Sequence, residues 1–170
     1  MNQKLRLFAP LFLVLLLTDC TTKELVETHL AVPYVPHEVV GEVVRFTLAY
    51  NPGAALGMSV GEHSRVFFTV VGLGIMAMLG WLLVQASPAD RLKVVALGLV
   101  MGGAAGNLYD RLRSPHGVVD FIDIGIGATR FYTFNVADIG VCCGAMLLAW
   151  SLWREDSERE ALEAAQGLAE

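Results

Sequence analysis

The sequence predicts an all-α membrane protein in which four transmembrane helices carry a small β-sheet platform on one membrane face. Three observations lead there. The chain of 170 residues is 55% hydrophobic, with a mean hydropathy of +0.55, which is too apolar for an ordinary soluble domain. Four stretches approach the roughly 20 apolar residues that a bilayer crossing requires. Between them, two polar connections contain short runs of strand-forming residues, and two aspartates lie among apolar neighbours, one in the second connection and one at the mouth of the fourth span.

The first span runs from residue 5 to about 23. Lys4-Leu5-Arg6 followed by an apolar stretch resembles a secretory signal, and Leu17-Thr18-Asp19-Cys20 resembles the box before a lipid-modified cysteine. Asp19 stands where that box requires a small residue, so an uncleaved helix is expected. Asp19 and Lys23 lie one turn apart, as in a helical ion pair; the alternative is that Lys23 anchors the helix end or meets lipid headgroups.

In the connection 24–65, residues 42–50 read as a strand that Asn51-Pro52-Gly53 ends with a turn. The second span covers 66–86. Its Gly72-Leu73-Gly74-Ile75-Met76-Ala77 imitates a dinucleotide fingerprint, but it lies within a continuous apolar span with no strand before it. A tight turn at 87–91 leads to the third span, 92–109. There Gly98, Gly102 and Gly106 recur every four residues, a spacing that lets helix backbones approach closely in lipid. This packing would hold the polar residues that follow, Asn107, Asp110 and Arg111, near the membrane surface. Arg111 has three readings: a donor to a peptide carbonyl, a donor to a headgroup, or a side chain snorkelling to the interface.

Residues 118–122 and 130–134 read as further short strands. The resulting sheet would suit an extended peptide, which binds readily as an added strand. The fourth span is 136–153. The chain thus divides into one membrane domain, residues 1–153, and an acidic tail, residues 154–170, expected as a solvated helix or a disordered end. Four spans place both termini on one side. With the termini in the cytoplasm, Lys4, Arg6, Arg91, Lys93, Arg154 and Arg159 fall inside and Lys23, Arg45, Arg65, Arg111, Arg113 and Arg130 outside. That balance decides nothing, but Lys4 and Arg6 before the first span favour an inside start. The net charge of −5 comes largely from the tail, and no basic stripe points to nucleic acid.

Asp120 and Asp138 carry the chemical lead. A carboxylate costs roughly 2.5–3.5 kcal/mol to insert in hydrocarbon unless it is paired, protonated or facing water. Two facing carboxylates hold one proton between them, as in aspartic-protease chemistry. Each residue alone has a plainer reading. Asp138 is able to complete a capping box with Asn135 at the positive end of a helix, and Asp120 would serve as a solvated loop charge. Their apolar flanks and the short segment between them favour the pair. His29, His37, His63 and His116 lack metal-ligand spacing, so no metal is expected. Cys20, Cys142 and Cys143 form no C-x-x-C and suit apolar filling. Ser59, Ser64 and Ser114 have no base nearby in sequence.

Five motifs occur in order: Asp19-Cys20-Thr21-Thr22-Lys23, Asn51-Pro52-Gly53-Ala54-Ala55, residues 102–111 (Gly-Gly-Ala-Ala-Gly-Asn-Leu-Tyr-Asp-Arg), Val118-Val119-Asp120-Phe121 and Phe134-Asn135-Val136-Ala137-Asp138. Across residues 5–153 the chain resembles the lipoprotein signal peptidases, the type II signal peptidases of bacteria. The resemblance implies four transmembrane helices with an extracytoplasmic sheet. It implies an aspartic endopeptidase of the bacterial inner membrane that removes the signal peptide from diacylglyceryl-modified prolipoproteins, before the lipid-bearing cysteine. Asp120 and Asp138 match the catalytic positions. Asn51, Gly53, Asn107, Asp110, Arg111 and Asn135 match the polar surround or substrate contacts, and Asp19 and Lys23 the first-helix motif. Prolipoprotein and membrane lipid are the expected partners of a monomer without a cofactor. Cys20 stands where glutamine is usual and Leu56 where phenylalanine is common; neither touches the aspartates, and the acidic tail lies outside the resemblance. The competing readings are a non-enzymatic four-helix protein, a presenilin-type protease, whose G-x-G-D motif is missing, and a transporter, for which no span is broken midway by Pro or Gly with charges.

Overall fold

The structure, a computed structural model, describes residues 3–30, 32–53 and 61–167. Four long helices are connected by a four-stranded antiparallel sheet: α1 Gln3–His29, β1 His37–Val40, β2 Val44–Asn51, α2 Ser64–Gln85, α3 Arg91–Arg113, β3 Val118–Ile126, β4 Thr129–Arg130 and α4 Val136–Gly167. All four helices are long and apolar enough to cross a membrane. Each outlasts or closely matches its apolar stretch, because a helix has no reason to stop where hydrophobicity does. α4 in particular runs past Trp153, so the described part of the acidic tail is helical.

α3 packs against each of the other three helices, and half of its most apolar stretch is buried within the protein. Glycine makes that position tenable. A Cβ on Gly102 would lie 2.9 Å from the Phe12 carbonyl oxygen of α1, and one on Gly103 would strike the Ala137 carbonyl of α4. The predicted seam is therefore used on two sides. The exposed faces of α1 and α2, with Val14, Leu17, Val66 and Val70, are what a lipid-facing surface requires.

The strands lie in sequence order, β1-β2-β3-β4. Ala49 pairs with Asp120, Tyr50 with Val119 and Asn51 with Val118. Val26 of α1, Leu48, Val119 and Phe121 form a small core under the sheet. This seats the sheet on the end of the bundle and carries Asp120 to the helix ends. Three strand expectations need correction. β1 does not appear in the sequence reading; Gly41, at φ +50, turns it back on β2. β3 extends to Ile126, where Gly127, at φ +54, ends it. The strand expected over 130–134 is reduced to Thr129–Arg130, with Phe134 alone rejoining Ile122. Phe131 and Tyr132 instead turn outward and are exposed.

Candidate active site

Local sequence places the two aspartates. Asn135 caps α4 and Asp138 returns the bond: the Asp138 N–H donates to Asn135 Oδ1 (3.0 Å), and the Asn135 N–H donates to Asp138 Oδ2 (3.1 Å). The capping box thus exists, and it does not compete with chemistry. It fixes Asp138 in the first turn of α4 while Asn135, fully buried, reaches the other carboxylate. Asn135 Nδ2 donates to Asp120 Oδ1 at 2.7 Å. One residue holds both acids.

The remaining two oxygens are also held by neutral amides. Asn107 Nδ2 donates to Asp138 Oδ1 (2.9 Å) and Asn51 Nδ2 to Asp120 Oδ2 (3.1 Å). Each amide is itself oriented. Asn51 Oδ1 accepts the Gly53 N–H at 2.9 Å, so its amino group faces Asp120. The Gly53 carbonyl in turn accepts from Arg111 Nη2 at 2.8 Å. Asn107 Oδ1 accepts from Lys23 Nζ (2.8 Å) and Asn135 Nδ2 (3.2 Å), which leaves its amino group for Asp138.

Lys23 explains that orientation. Its ammonium, 1% exposed, lies 2.7 Å from Asp19 Oδ2 and 2.9 Å from Asp110 Oδ2. Asp19 Oδ1 accepts the Ala137 N–H (2.8 Å), and Asp110 Oδ2 the Val119 N–H (3.2 Å). The ion cluster therefore ties α1, α3, β3 and α4 together one residue away from each catalytic candidate. The helical ion-pair reading of Asp19 and Lys23 holds, and at that burial Lys23 does not reach lipid. Removing one partner of a buried cluster leaves charge uncompensated, at a cost of about 3–5 kcal/mol. Lys23→Ala is expected to lose that much stability by equilibrium unfolding in detergent; a loss below about 1 kcal/mol would show that the cluster is not what holds these elements.

Arg111 points inward rather than snorkelling. It donates to the Gly53 and Asn107 carbonyls, within electrostatic range of Asp120 and Asp138. Its Nε–H has no acceptor among the described residues. Ala54, Ala55, Leu56 and Ser59 lie outside the described residues. One residue went unrecognised in the sequence: Gly117, at φ +98, where a Cβ would come 2.7 Å from Pro52 Cα. Only glycine lets the 114–117 turn pass so close to Asn51. Pro115-His116-Gly117 was a legible turn signal, but its partner across the sheet was not.

The acids are unequal. Asp120 is 4% exposed, and Asp138 is half-buried. Burial first, and then the charge of Asp138, push the Asp120 carboxyl up to about 7, against the donors Asn51 and Asn135, which pull it down. Between the unfolded value of 3.8 and about 7 the folded chain binds the extra proton, so stability falls as pH rises through this window. Relative to Asp120→Asn, the wild-type chain is expected to lose roughly 2–3 kcal/mol between about pH 5 and 8. Parallel stability–pH curves for the two proteins would contradict the raised value.

Comparison with known proteins decides the family. Residues 11–154 match the family model described as Signal peptidase (SPase) II. The chain belongs to the signal peptidase II family. A lipoprotein signal peptidase of Photorhabdus laumondii is 37% identical over 145 residues, covering 81% of this chain and 82% of that protein. Another, of Yersinia enterocolitica, is 34% identical over 159 residues, or 89% of each chain. Two solved structures titled as bacterial membrane enzymes, determined by the in meso method, share the fold. One has a TM-score of 0.77 at 27% identity and covers 88% of this chain and 89% of its own. The other has a TM-score of 0.74 at 29% identity, covering 85% and 90%. This signal peptidase II is thus a multi-pass bacterial membrane enzyme, and the resemblance seen in its five motifs agrees with the family.

Proposed function

We propose that this chain is an aspartic endopeptidase whose pair, Asp120 and Asp138, cuts diacylglyceryl-modified prolipoproteins immediately before the lipid-bearing cysteine. The observation that carries this reading is the bridge through Asn135, with every carboxylate oxygen of the pair held by a neutral N–H donor. Such donors orient the acids without neutralising them, as a salt bridge would.

The asymmetry supports one division of roles. Buried Asp120 carries the shared proton, and Asp138, at the positive end of α4, is the base. Asp138 takes a proton from a water held between the two, and the hydroxide so formed attacks the scissile carbonyl. Asp120 gives its proton to the developing oxyanion. On collapse Asp138 gives the proton it took from water to the leaving amine as the C–N bond breaks, and a hydroxyl of the tetrahedral species returns its proton to Asp120, which restores one proton to the pair. β3 is covered on both sides near Asp120, by Ala49 and by Phe134. An extended substrate therefore approaches the face of the pair and does not add beside β3. All four carboxylate oxygens of the pair find donors within the chain, so a monomer suffices for the chemistry. Lys4 and Arg6, which favour an inside start, and the family resemblance together support termini in the cytoplasm and the aspartates at the extracytoplasmic face.

The experiment is cleavage of a purified diacylated prolipoprotein in detergent or vesicles. Turnover is expected to persist with a chelator present, and in the variant with Cys20, Cys142 and Cys143 all changed to Ala. Inhibition by chelator that one transition metal reverses would replace the aspartic reading with a metalloenzyme.

A further inference from the structure

The end of the bundle remote from the aspartates holds a second polar cluster that cleavage does not use. A cleft of about 230 Å³ opens between the start of α1 and the start of α3, with Lys4, Arg6 and Arg91 around it and Leu7, Pro88 and Val94 as its apolar wall. Most cations at this end are committed. Lys4 donates to the Leu83 and Val84 carbonyls that α2 leaves open at its C-terminus (3.0 and 2.8 Å). Lys93 pairs with Glu155 and Asp90, and Arg154 with Asp90 and Glu158. Arg6 and Arg91 differ: both are exposed, and neither guanidinium has an ion-pair or hydrogen-bond partner among the described residues.

Their depth is defined independently. All three tryptophans of the chain, Trp81, Trp150 and Trp153, are exposed at this end, and tryptophan concentrates at headgroup level. At a rise of 1.5 Å per residue, Trp81 lies about 26 Å along α2 from Ser64, and Arg6 about 26 Å along α1 from Lys23. That separation is close to the hydrocarbon thickness of roughly 30 Å. Lys23 stands at the level of the aspartates, so Arg6, Arg91 and the tryptophans mark the opposite headgroup plane.

We propose that this cleft binds the headgroup of an anionic glycerophospholipid, with Arg6 and Arg91 on its phosphate and the apolar wall against its glycerol and upper acyl chain. The guanidinium fork matches phosphate oxygens two at a time, and the Lys4 charge adds to the field. A soluble phosphate would find no use for Leu7, Pro88 and Val94, and an apolar wall at headgroup depth is what a lipid offers contact to. Arg6 and Arg91 stand outside the aspartate site, so cleavage activity reports folding separately from lipid binding.

The test is native mass spectrometry of the delipidated full chain titrated with phosphatidylglycerol or with phosphatidylethanolamine. One saturable phosphatidylglycerol is expected, bound more tightly than phosphatidylethanolamine. A surface basic residue contributes about fivefold in affinity, so Arg6→Gln and Arg91→Gln should each lose about that much and the double variant about twentyfold. Arg6→Lys with Arg91→Lys should lose less, which covers the case of a poorly folded glutamine pair. Wild-type affinity in the single glutamine variants, or equal binding of the two lipids, overturns the site. Displacement of the lipid by glycerol 3-phosphate at matched concentration would make it a soluble-phosphate site instead, and would overturn it equally.

Discussion

Asp120→Asn and Asp138→Asn are each expected to lower prolipoprotein cleavage by on the order of 10³-fold or more, with membrane insertion intact. General acid–base catalysis alone contributes about 10²–10⁴-fold, and here the same pair also positions the water. A carboxamide keeps the shape and part of the hydrogen bonding but cannot cycle a proton. The two variants should fail differently in structure. At Asp120 the amide presents its NH₂ to Asn51 or Asn135, which are themselves donors. At Asp138 it meets Asn107 and the Asn135 N–H. Losses in a double variant no greater than in either single one would mark the two as one catalytic unit. Turnover within about tenfold of wild type in either purified variant would remove that residue from the pair and favour the non-enzymatic reading of its carboxylate.

The fold was legible where a one-dimensional signal suffices. Hydropathy found four spans because lipid demands about 20 apolar residues in a row, and the Gly98-Gly102-Gly106 spacing announced a close seam. Strand limits were less legible. The four residues of β1 are all exposed, so no alternation marks them, and its pairing depends on Gly41. The pair itself was visible because charge among apolar residues is costly, and Asn135 was visible as a cap. What the sequence could not give was the wiring. Lys23 reads as an ion-pair partner of Asp19, which it is, yet its contact with Asn107 is between residues 84 positions apart. That contact decides which way the Asn107 amide points. In the same way Gly53 and Arg111 lie 58 positions apart, and their hydrogen bond settles the orientation of Asn51. Side-chain amides have two faces that a sequence cannot distinguish; only the third dimension supplies the donor that selects one.

Diacylation of the substrate is expected to raise cleavage by at least about 10³-fold over the unlipidated precursor. The pair lies where the sheet meets the helix ends, level with the first turn of α4. A peptide bond adjacent to a lipid-bearing cysteine reaches this level with its acyl chains still in hydrocarbon. Each CH₂ kept there is worth about 0.8 kcal/mol, so only a few methylenes beyond those needed to offset ordering of the peptide would produce a difference of this size. An unlipidated precursor must be held by its peptide alone, on an outer surface where β3 offers it no free edge. The proposed function places the pair toward the extracytoplasmic leaflet, where a translocated lipoprotein precursor has its modified cysteine. Impermeant thiol labelling in the triple cysteine-to-alanine background tests the side directly. A cysteine at Pro115, which is exposed beside the strained Gly117 turn, should react from outside intact cells, and one at Ala89 in the turn between α2 and α3 should not. Labelling of Ala89→Cys from outside, or equal cleavage of lipidated and unlipidated precursors, would contradict the assignment.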